Sequence, residues 1–168
     1  YKNQAETNGV TNPWYYEMQD LGYNYRLTDI QAALAKSQLS KIDKFIARRR
    51  ALAYRYDDFL NTFDLLRPAQ FTGRERSAHH LYPIRCDFKA VGKTRAEVML
   101  ALRDEGVITQ VHYIPVHYHP YFKERFDASG KFPNAERYYD EALTIPLFYE
   151  LKNEQQDFVV DLLRDLIS

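Results

Sequence analysis

The sequence predicts an α/β fold in which a small sheet is covered by helices and preceded by a long helix. Two patterns carry this prediction. Apolar residues recur at helical spacing over positions 28–61, and beyond them short strand-like runs alternate with helix-capping signals. The predicted order is helix, strand, strand, helix, strand, helix, helix. One small sheet of this kind indicates a half-protein architecture.

Composition and charge exclude several functional classes. The chain has 168 residues, of which 45% are hydrophobic and 27% charged, as in ordinary globular proteins. Lys+Arg and Asp+Glu both number 23, so the formal net charge is zero, which argues against a nucleic-acid binder. No apolar run approaches the roughly 20 residues of a membrane span. The single cysteine, Cys86, cannot form an internal disulfide, which favours a reducing cytoplasm.

Residues 1–25 are polar and then aromatic, without a periodic core stripe. Trp14, Tyr15, Tyr16 and Tyr23 would be costly to leave in water, so we expect this segment to pack on a partner outside the chain. The chain starts without Met and without a signal-peptide pattern. We therefore expect it to be processed or truncated.

The long helix is predicted over residues 28–61. Thr28 and Gln31 form a capping box at its start, and Asp29 lies where the helix dipole favours an anion. At about 1.5 Å per residue the helix would be roughly 50 Å long. We therefore expect a break near Ser37–Ser40.

Three consecutive arginines, Arg48–Arg50, lie in the middle of this predicted helix. They cannot all face one phosphate, because successive residues turn about 100° around the helix axis. We interpret them as a solvated helix face with one or two ion pairs. Arg26, just before the helix and beside Asn24, is a better candidate for contact with an anion, because a helix N-terminus favours negative charge.

The remaining residues are predicted to form the sheet and its covering helices. Pro83 lies in the second strand and predicts an edge strand or a bulge, because proline cannot donate to a ladder. Thr94 and Glu97 form a second capping box, and Gly106 ends that helix. Strands are predicted over 63–67, 78–87 and 107–112, and helices over 94–106, over 133–143 and after a cap at Asn153.

Five histidines fall into two groups, which are His79–His80 and the set of His112, His117 and His119. The second group lies in a proline-containing loop that we expect to be rigid. Its spacing is compatible with a metal site, with the lining of a ligand pocket or with structural hydrogen bonding. No Cys, Asp or Glu lies within the loop to complete a metal site, so we predict no metal and favour the pocket.

Ordered and correctly spaced blocks extend over nearly the whole chain. They are LGYNYRLTDIQAA at 21–33, SQL at 37–39, ID at 42–43, RRR at 48–50, Tyr56, HLYPI at 80–84, GVITQVHYIPVH at 106–117, FPNAE at 132–136 and LTIPL at 143–147. Together they resemble the sugar aminotransferases of the DegT/DnrJ/EryC1/StrS family. The segment WYYEMQ at 14–19 is most similar to the branch that acts on the UDP-linked precursor of pseudaminic acid.

This resemblance implies a fold-type I aminotransferase. Its large domain holds pyridoxal 5′-phosphate on a lysine, and its small C-terminal domain closes over the substrate. It implies transfer of an amino group from glutamate to a 4-keto-6-deoxy UDP-sugar, for surface polysaccharide or glycan biosynthesis, by a cytoplasmic homodimer with shared active sites. Residues 1–27 would be a large-domain remnant with a cross-subunit segment, 28–61 a linking helix, and 62–168 the small α/β domain.

The resemblance also implies roles for individual residues. Asn24 is expected to contact the cofactor phosphate or the substrate in the neighbouring subunit, with Arg26 close by. The sugar-nucleotide pocket is expected to be lined by Gln110, His112, Tyr113 and His117.

The Schiff-base lysine is expected upstream of Tyr1 by the same resemblance. The lysines within the chain are scattered in polar settings, which would not lower an amine pKa for such chemistry. We therefore expect no catalytic residue in this chain and a catalytically silent isolated chain.

Two other functions stay open. Family members in which histidine replaces the lysine are sugar dehydratases, and the position that would distinguish them is expected upstream. The alternative from a different class is a stand-alone module that binds nucleotide sugars or assembles with a full-length enzyme.

Overall fold

A computed structural model describes residues 6–7, 10–11, 22–23, 25–70, 73–125 and 131–167. The chain divides into two compact units, Tyr1–Leu39 and Ser40–Ser168. Each unit is described by itself. The aromatic segment at 14–16, which we expect to pack on a partner, lies outside the described residues.

The described residues of the first unit include a short hairpin and a helix. Strand β1 (Glu6–Thr7) pairs antiparallel with β2 (Val10–Thr11), and helix α1 spans Asp29–Leu39. The predicted capping box is confirmed. The Gln31 amide donates to Thr28 Oγ1 at 3.3 Å, and the Thr28 amide donates to Gln31 Oε1 at 3.0 Å.

The second unit is a three-stranded antiparallel sheet with helices, which confirms the predicted α/β class. The strand order is β3-β4-β5. In chain order its elements are α2 (Ile42–Leu60), β3 (Leu66–Pro68), a 3-10 turn (Arg74–Arg76), β4 (Tyr82–Cys86), α3 (Phe88–Val91), α4 (Arg95–Asp104), a second 3-10 turn (Val116–Tyr118), α5 (Pro120–Lys123), α6 (Pro133–Glu141), β5 (Ala142–Ile145) and α7 (Asn153–Ile167).

The predicted break in the long helix is confirmed. Helix α1 ends at Leu39, and α2 begins at Ile42 after a turn at Ser40 and Lys41. The second predicted capping box is also present, because the Glu97 amide donates to Thr94 Oγ1 at 3.2 Å and the Thr94 amide donates to Glu97 Oε2 at 2.7 Å.

Strand β4 carries the core of the sheet. Its residues alternate between buried and half-buried, with Tyr82, Ile84 and Cys86 on the buried face. The buried face meets side chains from α2, α4 and α7, and burying each large aliphatic chain contributes roughly 1.5–3 kcal/mol to stability. These core side chains include Leu52, Tyr56, Val98, Leu102, Val160 and Leu163.

The prediction that Pro83 marks an edge strand or a bulge is wrong, because β4 is the central strand. Pro83 stands opposite Thr144 of β5 in a regular register. On the other side its carbonyl accepts a bond from the Ala69 amide at 3.0 Å. Proline has no N–H to return that bond, and β3 has already ended at Pro68. A central strand therefore tolerates this proline where its neighbour stops.

Other predicted boundaries need correction. Strands β3 and β4 are shorter than the predicted strands over 63–67 and 78–87, because the flanking residues have no partner strand within the described residues. No strand forms over 107–112, where only Gln110 bridges to Thr144. Helix α6 ends at Glu141, before the predicted residue 143, and the chain continues directly as β5. All four residues of β5 are buried, so no alternation marked it in the sequence.

The cap predicted at Asn153 is also displaced by one residue. Helix α7 begins at Asn153 itself. The preceding Lys152 amide donates to Gln155 Oε1 at 2.9 Å. The side chain of Gln155 thus reaches back to the amide of the residue just before the helix, as the N3 side chain does in a capping box.

The interpretation of Arg48–Arg50 as a solvated face with ion pairs is wrong. All three are half-buried and bond backbone carbonyls. Arg48 Nη2 donates to Leu151 O at 2.6 Å, and Arg50 Nε donates to Ser77 O at 2.9 Å. Because successive helical residues point in different directions, these arginines tie separate loops to one helix.

Arg49 makes the most of these contacts. Its Nη1 lies 3.3 Å from His79 O, 3.1 Å from His80 O and 3.2 Å from Leu147 O. One guanidinium therefore joins the loop before β4 to the loop after β5. No segment near Arg49 in sequence indicates these partners, which lie 30 to 98 positions away.

We expect Arg49→Ala to lower the free energy of unfolding by about 2–3 kcal/mol, because buried carbonyls lose a charged donor. Urea denaturation followed by circular dichroism measures this change. Arg103→Ala, at an exposed position of α4, is the control and should change stability by less than about 0.5 kcal/mol. Equal stability of the two variants would show that Arg49 does not hold the loops.

Cys86 should be unreactive in the folded chain. It is fully buried, and burial, with smaller effects of Asp87 and Glu141, raises its pKa to about 12. Only the thiolate reacts readily, and a raised pKa leaves almost none at pH 8. We expect no reaction with a disulfide thiol reagent in native buffer and one thiol per chain in concentrated urea. Rapid native labelling, at the rate of free glutathione, would contradict the packing of β4.

Candidate functional site

The segment after α4 lies along the free edge of β5. It follows Gly106, whose φ of 81° suits glycine at a helix C-terminus. The Gln110 amide donates to Thr144 O at 3.1 Å, and the Thr144 amide donates to Gln110 O at 2.7 Å. This pair of bonds extends the sheet by one residue and fixes the backbone of the segment at Gln110.

The side chain of Thr144 also holds His112. The hydroxyl oxygen Oγ1 lies 2.9 Å from His112 Nδ1. The His112 ring in turn stands edge-on to the Tyr113 ring, with centroids 4.6 Å apart. Tyr113 is 71% exposed. One threonine therefore positions Gln110 through its backbone and His112 through its side chain, and leaves Tyr113 open to a ligand.

His117 has a separate anchor. It lies in the second 3-10 turn, and its Nε2 is 2.9 Å from Glu136 Oε1 on α6. The His117 side chain is only 11% exposed. Its ring packs on Phe132, at a centroid distance of 5.0 Å, and on Tyr118, at 4.7 Å. The ring is therefore held by a hydrogen bond and by contacts with two aromatic rings.

The predicted site residues fall into three groups. Gln110, His112, Tyr113 and His117 lie on one segment against α6 and β5, as described above. Arg26 is exposed and belongs to the first unit, just before α1. Asn24 lies outside the described residues, so its predicted contact with a cofactor or substrate stays a prediction.

Two anchoring residues were missed from the sequence, namely Thr144 and Glu136. Thr144 is the one polar residue in the buried run of β5, and a polar side chain in an apolar strand is a signal that could have identified it. Glu136 lies in the FPNAE block but carries no local pattern that indicates a histidine partner. Its contact joins residues 19 positions apart.

The other pair of histidines has a different environment. His79 is buried against the Tyr54 ring, with centroids 6.1 Å apart, whereas His80 is exposed. Burial, with the charge of Arg74, lowers the pKa of His79. A neutral, buried imidazole of this kind is a structural histidine rather than a residue that meets solvent or ligand.

Within the described ranges, no group of three or more His, Cys, Asp or Glu side chains is placed to hold a metal ion. The described helices include none that is long and apolar enough to cross a membrane.

The lysines offer no site for covalent attachment of a carbonyl cofactor. Every lysine in the described part of the chain is exposed, namely Lys36, Lys41, Lys44, Lys89, Lys93, Lys123, Lys131 and Lys152. A hydrogen bond with Tyr149 raises the pKa of Lys44, the direction opposite to activation of an amine nucleophile.

Comparison with known proteins identifies relatives over the whole chain. The sequence profile of the DegT/DnrJ/EryC1/StrS aminotransferase family matches residues 2–164. The spore coat polysaccharide biosynthesis protein SpsC of Bacillus subtilis is 37% identical over 168 residues, which is 99% of this chain and 42% of SpsC. A pleiotropic regulatory protein of Geobacillus stearothermophilus is 36% identical over 155 residues, 90% of this chain and 40% of that protein.

Solved aminotransferases share the fold. TlmJ of Streptoalloteichus hindustanus matches with a TM-score of 0.76 and 29% identity, over 91% of this chain and 40% of TlmJ. DesV of S. venezuelae matches with a TM-score of 0.79 and 26% identity, over 99% and 42%. PseC of Helicobacter pylori matches with a TM-score of 0.80 over 99% and 44%, and its 23% identity shows the fold alone. The chain spans about two fifths of the length of these relatives.

Two buried threonines allow a matched test of the Thr144 anchor. Thr144→Val removes the hydroxyl that bonds His112 and should lower the free energy of unfolding by about 1 kcal/mol. Thr109 Oγ1 is buried and lacks a partner among the described residues, so Thr109→Val should leave stability unchanged or raise it by about 1 kcal/mol. Chemical denaturation of both variants measures the difference. A loss of the same size in both would remove the assigned role of the Thr144 hydroxyl.

Proposed function

Because this chain belongs to the DegT/DnrJ/EryC1/StrS aminotransferase family, we propose that it forms the substrate-covering small domain of a pyridoxal-phosphate-dependent nucleotide-sugar aminotransferase. The whole protein transfers an amino group from glutamate to the keto carbon of a 4-keto-6-deoxy UDP-sugar. The product serves surface polysaccharide or glycan biosynthesis, in keeping with the name of the relative SpsC. The narrower assignment to the pseudaminic acid branch rests on the resemblance of residues 14–19 only.

One observation carries the assignment of the sugar-nucleotide pocket. The segment from Gln110 to His117 is anchored at both ends, to Thr144 of β5 and to Glu136 of α6. Between the anchors, Tyr113 is exposed on a fixed backbone. A ligand that binds here meets polar groups that are already ordered, so little conformational entropy is lost on binding.

The polar atoms of this segment are suited to binding a nucleoside diphosphate and its attached sugar. With Nδ1 bonded to Thr144, His112 has Nε2 left for a ligand, and Nε2 donates to a phosphate or to a sugar hydroxyl when Nδ1 accepts from the Thr144 hydroxyl. The Tyr113 ring offers a face for a base or a sugar and a hydroxyl for a hydrogen bond. On this assignment His112 and Tyr113 bind and orient the substrate. Neither side chain takes part in making or breaking a covalent bond.

The described residues fit only part of a cofactor site. The exposed Arg26 before α1 is suited to a phosphate group. All described lysines are exposed, which does not fit covalent attachment. We therefore assign pyridoxal 5′-phosphate to the whole protein, where it supplies the electron sink for amino-group transfer, and its lysine to the part of the relatives' length that this chain does not span. No catalytic step is assigned to the chain itself.

A homodimeric assembly and a cytoplasmic localisation are also part of this proposal. Asn24 and Arg26 would reach the active site of a neighbouring subunit in a homodimer, with Asn24 at the cofactor phosphate or the substrate. Cytoplasmic localisation, which the single cysteine favours, stays a prediction.

Incubation of the whole protein with a 4-keto-6-deoxy UDP-sugar and glutamate should release one 2-oxoglutarate per amino sugar formed. His112→Ala should raise the KM for the sugar nucleotide about tenfold, because a hydrogen bond to a charged ligand is worth roughly 1.5–3 kcal/mol. The KM for glutamate should stay within about twofold. Coupled detection of 2-oxoglutarate measures both constants.

Three results would separate the alternatives. Loss of a sugar hydroxyl without 2-oxoglutarate would identify a sugar dehydratase. Saturable UDP-sugar binding without turnover of any keto sugar would favour a binding module. An equal rise in both KM values would move His112 out of the sugar pocket.

A further inference from the structure

The two anchors of the histidine segment belong to one continuous piece of chain. Helix α6 (Pro133–Glu141) passes without a loop into β5 (Ala142–Ile145). Glu136 and Thr144 therefore share a single rigid support, which is paired with β4 through its strand. A histidine ring held by this support keeps a fixed position relative to the sheet.

Ion pairs hold the helical half of the support on the sheet. Glu141 Oε2 lies 2.9 Å from Arg67 Nη2 of β3 and 2.7 Å from Arg85 Nη2 of β4. The Arg95 side chain of α4 donates to the carbonyl of Tyr139 and packs on the Tyr139 ring. The orientation of α6 is thus set by contacts with two strands and a helix, independently of Glu136.

The contact between Glu136 and His117 determines which ring nitrogen can meet a ligand. An ionised carboxylate only accepts hydrogen bonds, so the imidazole proton lies on Nε2, 2.9 Å from Glu136 Oε1. The other nitrogen, Nδ1, is then an acceptor in the neutral ring. Phe132 and Tyr118 pack on the ring and restrict its rotation.

We infer that Glu136 is a positioning residue, which fixes His117 in the Nε2–H form and presents Nδ1 as a hydrogen-bond acceptor for a hydroxyl of the bound sugar. This inference rests on the proposed function, because it takes the ligand of His117 to be the nucleotide sugar. The inference specifies the kind of ligand group that His117 contacts. A hydroxyl can donate a hydrogen bond to Nδ1, whereas an ionised phosphate oxygen cannot.

A contribution to stability alone does not account for this geometry. The two side chains are 11% and 22% exposed, whereas ordinary surface ion pairs are exposed and contribute little to stability. Helix α6 is already held by Glu141 and Tyr139, as described above. A partner that only stabilised the helix would not need the aromatic enclosure that restrains the ring.

The ring tautomer can be measured directly on this chain by long-range ¹H–¹⁵N NMR of ¹⁵N-histidine samples. The His117 signals are assigned from their absence in His117→Gln. In the parent chain we expect the neutral form of the His117 ring to carry its proton on Nε2. Glu136→Ala should replace this pattern by averaged shifts of the two tautomers.

Two further variants control the measurement. Glu136→Gln keeps an oxygen acceptor at the same place and should preserve the Nε2–H pattern. Asp140→Ala removes an exposed carboxylate of the same helix and should leave the His117 pattern unchanged. Circular dichroism of all variants shows which of them are folded. If Glu136→Ala unfolds, the tautomer of the parent chain still tests the inference, because a proton on Nδ1 would overturn it.

The inference is overturned if the parent ring carries its proton on Nδ1, or if a folded Glu136→Ala chain keeps the parent pattern. The tautomer is measured without ligand, so this result is independent of whether UDP-sugars bind. Absence of sugar-nucleotide turnover in the whole protein would count against the proposed function, while the NMR result would decide the role of Glu136.

Discussion

Strand β5 is bonded along both of its edges, and this pairing places the backbone of Gln110, from which the candidate pocket segment continues. On one side its four residues, Ala142 to Ile145, pair with β4, and on the other Thr144 bonds the backbone of Gln110. The strand is wholly buried, so its amides and carbonyls have to be satisfied inside the protein. The histidine segment supplies the second set of partners. Its position is thus a consequence of completing the hydrogen bonds of a buried strand.

The arginines of α2 serve the same purpose for the loops at the ends of the strands. Loop carbonyls at Ser77, Leu147 and Leu151 lack strand partners and accept from guanidinium groups instead. Arginine suits this task because its several N–H donors diverge from one planar group on a long side chain. The arginines at 48–50, which we interpreted as a solvated charged face, therefore hold loop carbonyls. Guanidinium groups engaged in this way are not available to a phosphate ligand.

The sequence by itself determined the features that depend on neighbours a few positions apart. Both capping boxes form as predicted, because the pairs Thr28–Gln31 and Thr94–Glu97 need only one turn of helix to meet. The strand β4 was also expected within residues 78–87, and its side chains alternate between a buried and a half-buried face, as strand geometry requires. The family blocks likewise indicated the fold and the segment that carries the candidate pocket.

The tertiary structure alone decided the features that depend on distant partners. Pro83 was predicted to lie on an edge strand or at a bulge, because the sequence does not show that β3 ends beside it. The first two residues of β5 were predicted as the end of a helix, and they form a strand instead because they pair with β4. Glu136 meets His117 because α6 folds back across the segment. In each case the deciding contact is long-range, and local propensity is too weak to specify which of several distant partners a residue will meet.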